Sequence, residues 1–316
     1  MPQDSVVIKK TGVLPNYMNI LEIVFPIISL FVLGVILTQL GLFNLDDANI
    51  LIRLAFYVSL PALILKGIPV VEISAEFLFL PLIAMITILI MFLTSTFVSS
   101  FLNFERKTQG VFIIGTMILN LGFNVPFVIA AYGDEGFARA AFLDIGNILL
   151  VLSLTYYIAQ KHGSELEPPS FFNKKLITSP PLIALILALI LNFFEVTLDP
   201  LLINLFDLLG ALLTPLLMIS IGIYFNPRFQ NLLPAISVVC IRMGLGLVLG
   251  FFAVLILNLD DLSNKIVIIS TAAPVGFNTL TFASLEDLDR EFAANVLSIS
   301  IPVGICLITF LLVVLG

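Results

Sequence analysis

The sequence predicts an all-α polytopic membrane protein of about ten transmembrane helices, arranged as two inverted five-helix repeats with two crossed broken helices. Three observations carry this prediction. The 316 residues are 60% hydrophobic and only 11% charged, with a mean hydropathy of +1.16, whereas a soluble domain carries roughly 25% charged residues. Apolar runs long enough to cross roughly 30 Å of hydrocarbon follow one another along the whole chain. Landmarks that are uncommon inside membrane spans also recur at one spacing. Pro215 lies 154 residues after Pro61, Gly276-Phe277-Asn278 lies 154 residues after Gly122-Phe123-Asn124, and Pro234 lies 153 after Pro81.

In chain order, residues 1–19, with Pro2, Lys9, Lys10 and Pro15, lack the cleavage pattern of a secretory signal and read as a retained tail. Spans follow at about 20–41, 48–67, 78–102, 108–131, 136–160, 179–195, 204–225, 232–258, 264–284 and 288–315, bounded by charges and by clusters of Pro, Gly and Asn. The polar stretch 163–178 is expected to be a cytoplasmic linker between the halves. Five spans per repeat is an odd number, so the second copy enters the membrane from the opposite face. Inverted repeats let two halves exchange conformations and open one central site alternately to each side, as secondary transporters require.

Eight Lys and Arg residues (Arg53, Arg106, Lys107, Lys161, Lys174, Lys175, Arg228 and Arg290) fall on one side of the membrane. Five (Lys9, Lys10, Lys66, Arg139 and Lys265) fall on the other. The positive-inside rule then places both termini outside in a multi-pass protein of the cell (inner) membrane. A net charge of −7 argues against nucleic acid as a partner. Cys240 and Cys306 lie in apolar runs and read as packing residues, and the lone His162 cannot build a metal site. No metal, no cofactor and no enzymatic chemistry are expected.

The fourth span contains Asn120-Leu121-Gly122-Phe123-Asn124-Val125-Pro126 and the ninth contains Pro274-Val275-Gly276-Phe277-Asn278-Thr279. Proline removes a backbone donor, and glycine tolerates non-helical backbone. Gly122, Pro126, Pro274 and Gly276 are therefore expected to break both helices at mid-membrane depth. Unwound backbone survives there only where protein or a water-filled cavity satisfies it. Half-helix N-termini carry about +0.5 of a charge each and attract an anion without a formal cation. Asn120, Asn124, Asn278 and Thr279 are the candidate substrate ligands, with capping of the broken ends as the alternative. Asp144, Asn147 and Arg242 lie inside spans, where ionisable groups are costly. Asp144 is a candidate for carrying a coupling proton or, with Asn147, for ligating sodium, and Arg242 for balancing Asp144 or a substrate carboxylate. Lys66, Asp207, Glu195 and Glu22 sit near span ends and read as solvated.

With these features in hand, the sequence resembles the auxin efflux carrier family. The stretches that carry the resemblance are Pro126 with Ala131-Tyr132-Gly133-Asp134-Glu135-Gly136, Asp144-Ile145-Gly146-Asn147, Ser179-Pro180-Pro181-Leu182-Ile183-Ala184, Thr214-Pro215-Leu216 through Ile221-Gly222, and Ala273-Pro274 through Ala283. Similar members usually carry glycine where Asn124 stands here. The resemblance implies the fold of sodium/proton antiporters and bile-acid symporters and an elevator mechanism. It also implies a scaffold of residues 20–67 and 179–225 that forms a homodimer, and a transport domain of residues 78–162 and 232–315. The implied function is transport of small organic anions, such as carboxylate or auxin-like substrates. Two alternatives stay open: a cation/proton antiporter using Asp144, and a membrane receptor that binds an anion without moving it.

Overall fold

The computed structural model describes residues 17–163, 180–226 and 232–315. Most of the expected tail and nearly all of the expected linker lie outside the described residues. Among those described, all regular structure is helical. The order is α1 (Tyr17–Gln39), α2 (Leu45–Leu54), α3 (Leu60–Gly67), α4 (Phe79–Ser99), α5 (Arg106–Met117), α6 (Leu121–Leu150), α7 (Tyr156–His162), α8 (Pro180–Phe193), α9 (Pro200–Ala211), α10 (Leu213–Tyr224), α11 (Leu232–Val239), α12 (Gly246–Leu257), α13 (Asp261–Thr271), α14 (Asn278–Leu285) and α15 (Arg290–Leu315). Seven continuous helical stretches among the described residues are long and apolar enough to cross a membrane, and α8 is a shorter apolar helix.

Helix starts and interruptions follow from local chemistry. Asn44 begins α2 through a capping box, accepting from the Asp46 and Asp47 amides while the Asp47 carboxylate accepts from the Asn44 N–H. Pro61 has no N–H to donate to Tyr57, and α2 passes into α3 through a π-helical turn, Ala55–Ser59. Pro215 likewise has none for Ala211, and the chain breaks between α9 and α10 at Leu212. Within α6, Gly133 adopts φ 61°, a left-handed conformation open to glycine, and bends the helix where the sequence separates its fourth and fifth spans.

The densest helix pairings fall into two sets, which meet where α1, α3 and α10 pack on α6. α1 runs along α10, and α3 packs against α8 and α9. Separately, α4 packs on α6, α5 on α7, α12 on α13 and α11 on α15. One close seam joins α1 to α10: a Cβ at Gly34 would stand 2.2 Å from the Ile219 carbonyl oxygen, and one at Gly222 would stand 2.1 Å from that of Phe31. The outer helix faces carry exposed apolar side chains such as Phe25, Phe97, Phe193 and Leu255, as lipid contact demands. Cys240 and Cys306 also lie on exposed faces and are not the packing residues that their apolar setting suggests, because surrounding lipid favours apolar side chains on the outside as well.

Polar contacts gather at the two ends of the helices. At one end Arg106 donates to the Lys161 carbonyl at 2.6 Å, Lys107 pairs with Asp287, and the Thr108 hydroxyl donates to Asp289 at 2.7 Å. The bonded Lys107 ammonium holds the Asp287 carboxyl below the usual carboxylate range. At the other end Arg139 is buried, pairs with Asp260 at 2.6 Å, donates to the Ser263 hydroxyl and lies over the Phe77 ring. Burial pushes the Asp260 carboxyl up, but the bonds from Arg139 and Ser263 outweigh it and hold the group below the usual range. At this end too, Lys66 and Asp207 are not simply solvated. Lys66 pairs with Asp207 at 2.6 Å and with Asp134 at 3.5 Å.

Candidate functional site

Two interruptions meet inside the bundle. Residues 118–120 separate α5 from α6, and residues 272–277 separate α13 from α14. They cross as antiparallel extended segments. Leu119 bridges Val275, the Asn120 N–H donates to the Pro274 carbonyl and the Gly276 N–H donates to that of Ile118, both at 3.3 Å. One flanking pair of this register, Asn120 and Pro274, is separated by the same 154 residues that relate the sequence landmarks.

The first break lies earlier than the sequence suggests, and Gly122 and Pro126 are inside α6 rather than at the interruption. The Asn120 side chain explains the shift: its Oδ1 accepts the Phe123 N–H and starts the helix at Leu121. Pro126, on the sixth helical residue, removes only the bond to Gly122, whose backbone faces a cavity. Pro274 and Gly276 do lie in the second interruption.

Side chains pair several of the freed backbone carbonyls, as burial requires. Around the end of α13, the Ile269 carbonyl accepts from the Asn124 side chain at 2.8 Å, and the Val275 carbonyl accepts from the Asn120 side chain at 3.0 Å. Arg242, with no exposed surface, donates to the carbonyls of Thr271, of Ala273 at 3.1 Å and of Thr116 at 3.3 Å. Its charge therefore serves the C-terminal, electronegative ends of both α5 and α13. It does not pair with Asp144. Asn147 clamps Leu119 from both sides, accepting its N–H and donating to its carbonyl at 3.3 Å, and also donates to Asp144 at 2.8 Å.

Beside the crossing lies a cavity of about 220 Å³. Its polar wall comprises Asn120, Asn278, Asp144 and Asn147 with the backbone at Gly122 and Gly276. Its apolar wall comes from the bent α2–α3 region, α6, α8 and α10. Asp144 is the one ionisable side chain in the lining. Asn124 and Thr279 are not in the lining: Asn124 is buried against α13, and the buried Thr279 hydroxyl has no hydrogen-bond partner. No group of His, Cys, Asp and Glu among the described residues could hold a metal ion. The α2–α3 contribution, including Phe56 and Leu60, was signalled in the sequence only by Pro61.

A family model described as membrane transport protein matches residues 19–312. The chain belongs to this family. It is the auxin efflux carrier family to which the sequence motifs point. As a member, the chain is 24% identical over 290 residues to an uncharacterized transporter of Methanocaldococcus jannaschii, an alignment covering 87% of this chain and 92% of the relative. It is 26% identical over 295 residues to an uncharacterized transporter of Methanothermobacter thermautotrophicus, covering 90% and 94%.

Proposed function

We propose that this membrane transport protein is an elevator-type carrier of small organic anions. The observation that carries the reading is the crossing of two broken helices beside a cavity whose lining has no Lys or Arg. Attraction for an anion then comes from backbone: α14 begins at the cavity with Asn278, and no side chain caps it. Asn278 and Asn120 orient the carboxylate, and the apolar wall takes the body of the substrate. The Asn120–Pro274 pair at the repeat offset supports two inverted halves and, with the kink at Gly133, a ten-span topology. The two packing groups support a scaffold of residues 20–67 and 179–225 and a moving body of residues 78–162 and 232–315. The charge bias supports outside termini in the cell membrane. The exposed apolar faces of α1 and α9 suit a homodimer through the scaffold.

A cation/proton antiporter is the second reading, and Asp144, as the one carboxylate in the lining, favours it. Purified protein in proteoliposomes separates the two. Anion carriage is expected to give uptake of labelled monocarboxylates and thermal stabilisation by the same compounds, since a ligand of the folded state raises its apparent stability. Asp144→Asn should then keep anion flux with an altered pH profile. Cation-driven proton flux lost in Asp144→Asn, without carboxylate uptake in the parent, would establish the antiporter instead. Carboxylate binding without any flux would identify a receptor.

A further inference from the structure

We infer that Lys66, Asp134 and Asp207 form a releasable latch that closes the cavity at one end of the molecule. This inference rests on the two-body reading above. Lys66 lies in the last turn of α3 and Asp207 on α9, both in the scaffold group, whereas Asp134 follows the Gly133 bend in the other group. Lys66–Asp134 joins the two groups, whereas Lys107–Asp287 and Arg139–Asp260 each stay within one.

The latch lies about one turn along α3 and α6 from the lining residues Ile64 and Phe137. Lining residues nearest to it, Ile64 and Phe137, are 4% and 1% exposed, while Phe56 and Leu149 toward the opposite end are 37% and 38% exposed. The geometry of the three charges suits repeated opening. Lys66 holds its scaffold partner Asp207 at 2.6 Å and its partner across the interface at the looser 3.5 Å. When the bodies separate, Lys66 keeps Asp207, so no unpaired cation is left in a poorly solvated place. Asp134, whose side chain is 40% exposed already, passes into water. The contact thus favours the closed end without making its release prohibitive.

A Cβ at Gly67 would stand 3.8 Å from the Asp134 Cβ, close to the mean separation of about 3.8 Å in disulfides. The test uses full-length protein with Cys240→Ser and Cys306→Ser, and Ala141→Cys as a reporter in the cavity wall. A membrane-impermeant maleimide is applied from each face of oriented vesicles. Asp134→Asn should raise labelling from the latch side by about threefold or more, the population change for loss of a weak ion pair. In Gly67→Cys/Asp134→Cys, oxidation before labelling should abolish latch-side labelling at position 141, read by peptide mass so that the two latch thiols are not counted, preserve its labelling from the opposite face and be reversed by reductant. Latch-side labelling that ignores both changes, or a folded double variant that does not cross-link, would overturn the latch. Because maleimide needs no substrate, labelling that responds in protein without carboxylate flux would uphold the latch while defeating the anion-carrier reading.

Discussion

The two breaks are related by 154 residues, yet they use their polar side chains in opposite ways. In the first, Asn120 caps α6 and Asn124 reaches across to the Ile269 carbonyl near the end of α13. In the second, Asn278, at the position equivalent to Asn124, is exposed in the cavity, and α14 has no side-chain cap. The two equivalent positions therefore differ: Asn124 ties the crossing together, whereas in the proposed function Asn278 stands at a helix N-terminus left open to the substrate.

The largest expected effect tests what the breaks share. Arg242→Met strips a donor from three buried carbonyls that belong to both. It should cost about 3 kcal/mol or more, since each buried group left unpaired costs roughly 1–3, and thermal unfolding in detergent measures it. Next, Gly276→Ala would put a Cβ 2.2 Å from the Ile118 Cγ2, whereas at Gly122 the nearest atom is 3.8 Å away. Overpacking of about 1–3 kcal/mol is expected at Gly276 and little at Gly122; equal losses of stability would erase the steric difference between the breaks.

The amides provide the sharpest contrast. Asn124→Ala should lower stability by about 1–2 kcal/mol by freeing the Ile269 carbonyl, while Asn278→Ala should leave the melting temperature nearly unchanged and weaken carboxylate binding about tenfold, the value of one charge-assisted bond. If both variants lose affinity equally, the division of labour fails. The smallest effect lies away from the crossing. Asp260 has a depressed pKa in the folded protein, so its contribution is present above the unfolded value of about 4 and fades as pH falls through the lower folded value. Asp260→Asn should cost no more than about 1 kcal/mol at neutral pH, and its melting curve should converge with the parent's in acid.

Much of this was legible in the residues. Long apolar runs specify helices in lipid, and Pro274 with Gly276 marks an interruption because few side chains compensate a missing donor there. The break at 118–120 was displaced from its apparent place because Asn120 acts as a cap, and a cap is visible only once the helix it starts is known. The partners of Arg242 were hidden for a different reason: all three are carbonyls, and every residue has one. The facing of Asn124 and Asn278 depends on how two helices are rotated at their crossing, which a spacing of 154 does not encode. Lys66 and Asp207 looked like ordinary span-end charges because their meeting requires α3 and α9 to pack together.

The contact of Gly34 with Gly222 offers experimenters a fixed ruler. With backbone against backbone and no layer of side chains between them, α1 and α10 have no lubricating surface on which to slide. Paired spectroscopic labels on these helices should report one constant separation throughout a transport cycle, and displacements elsewhere can be measured from that baseline.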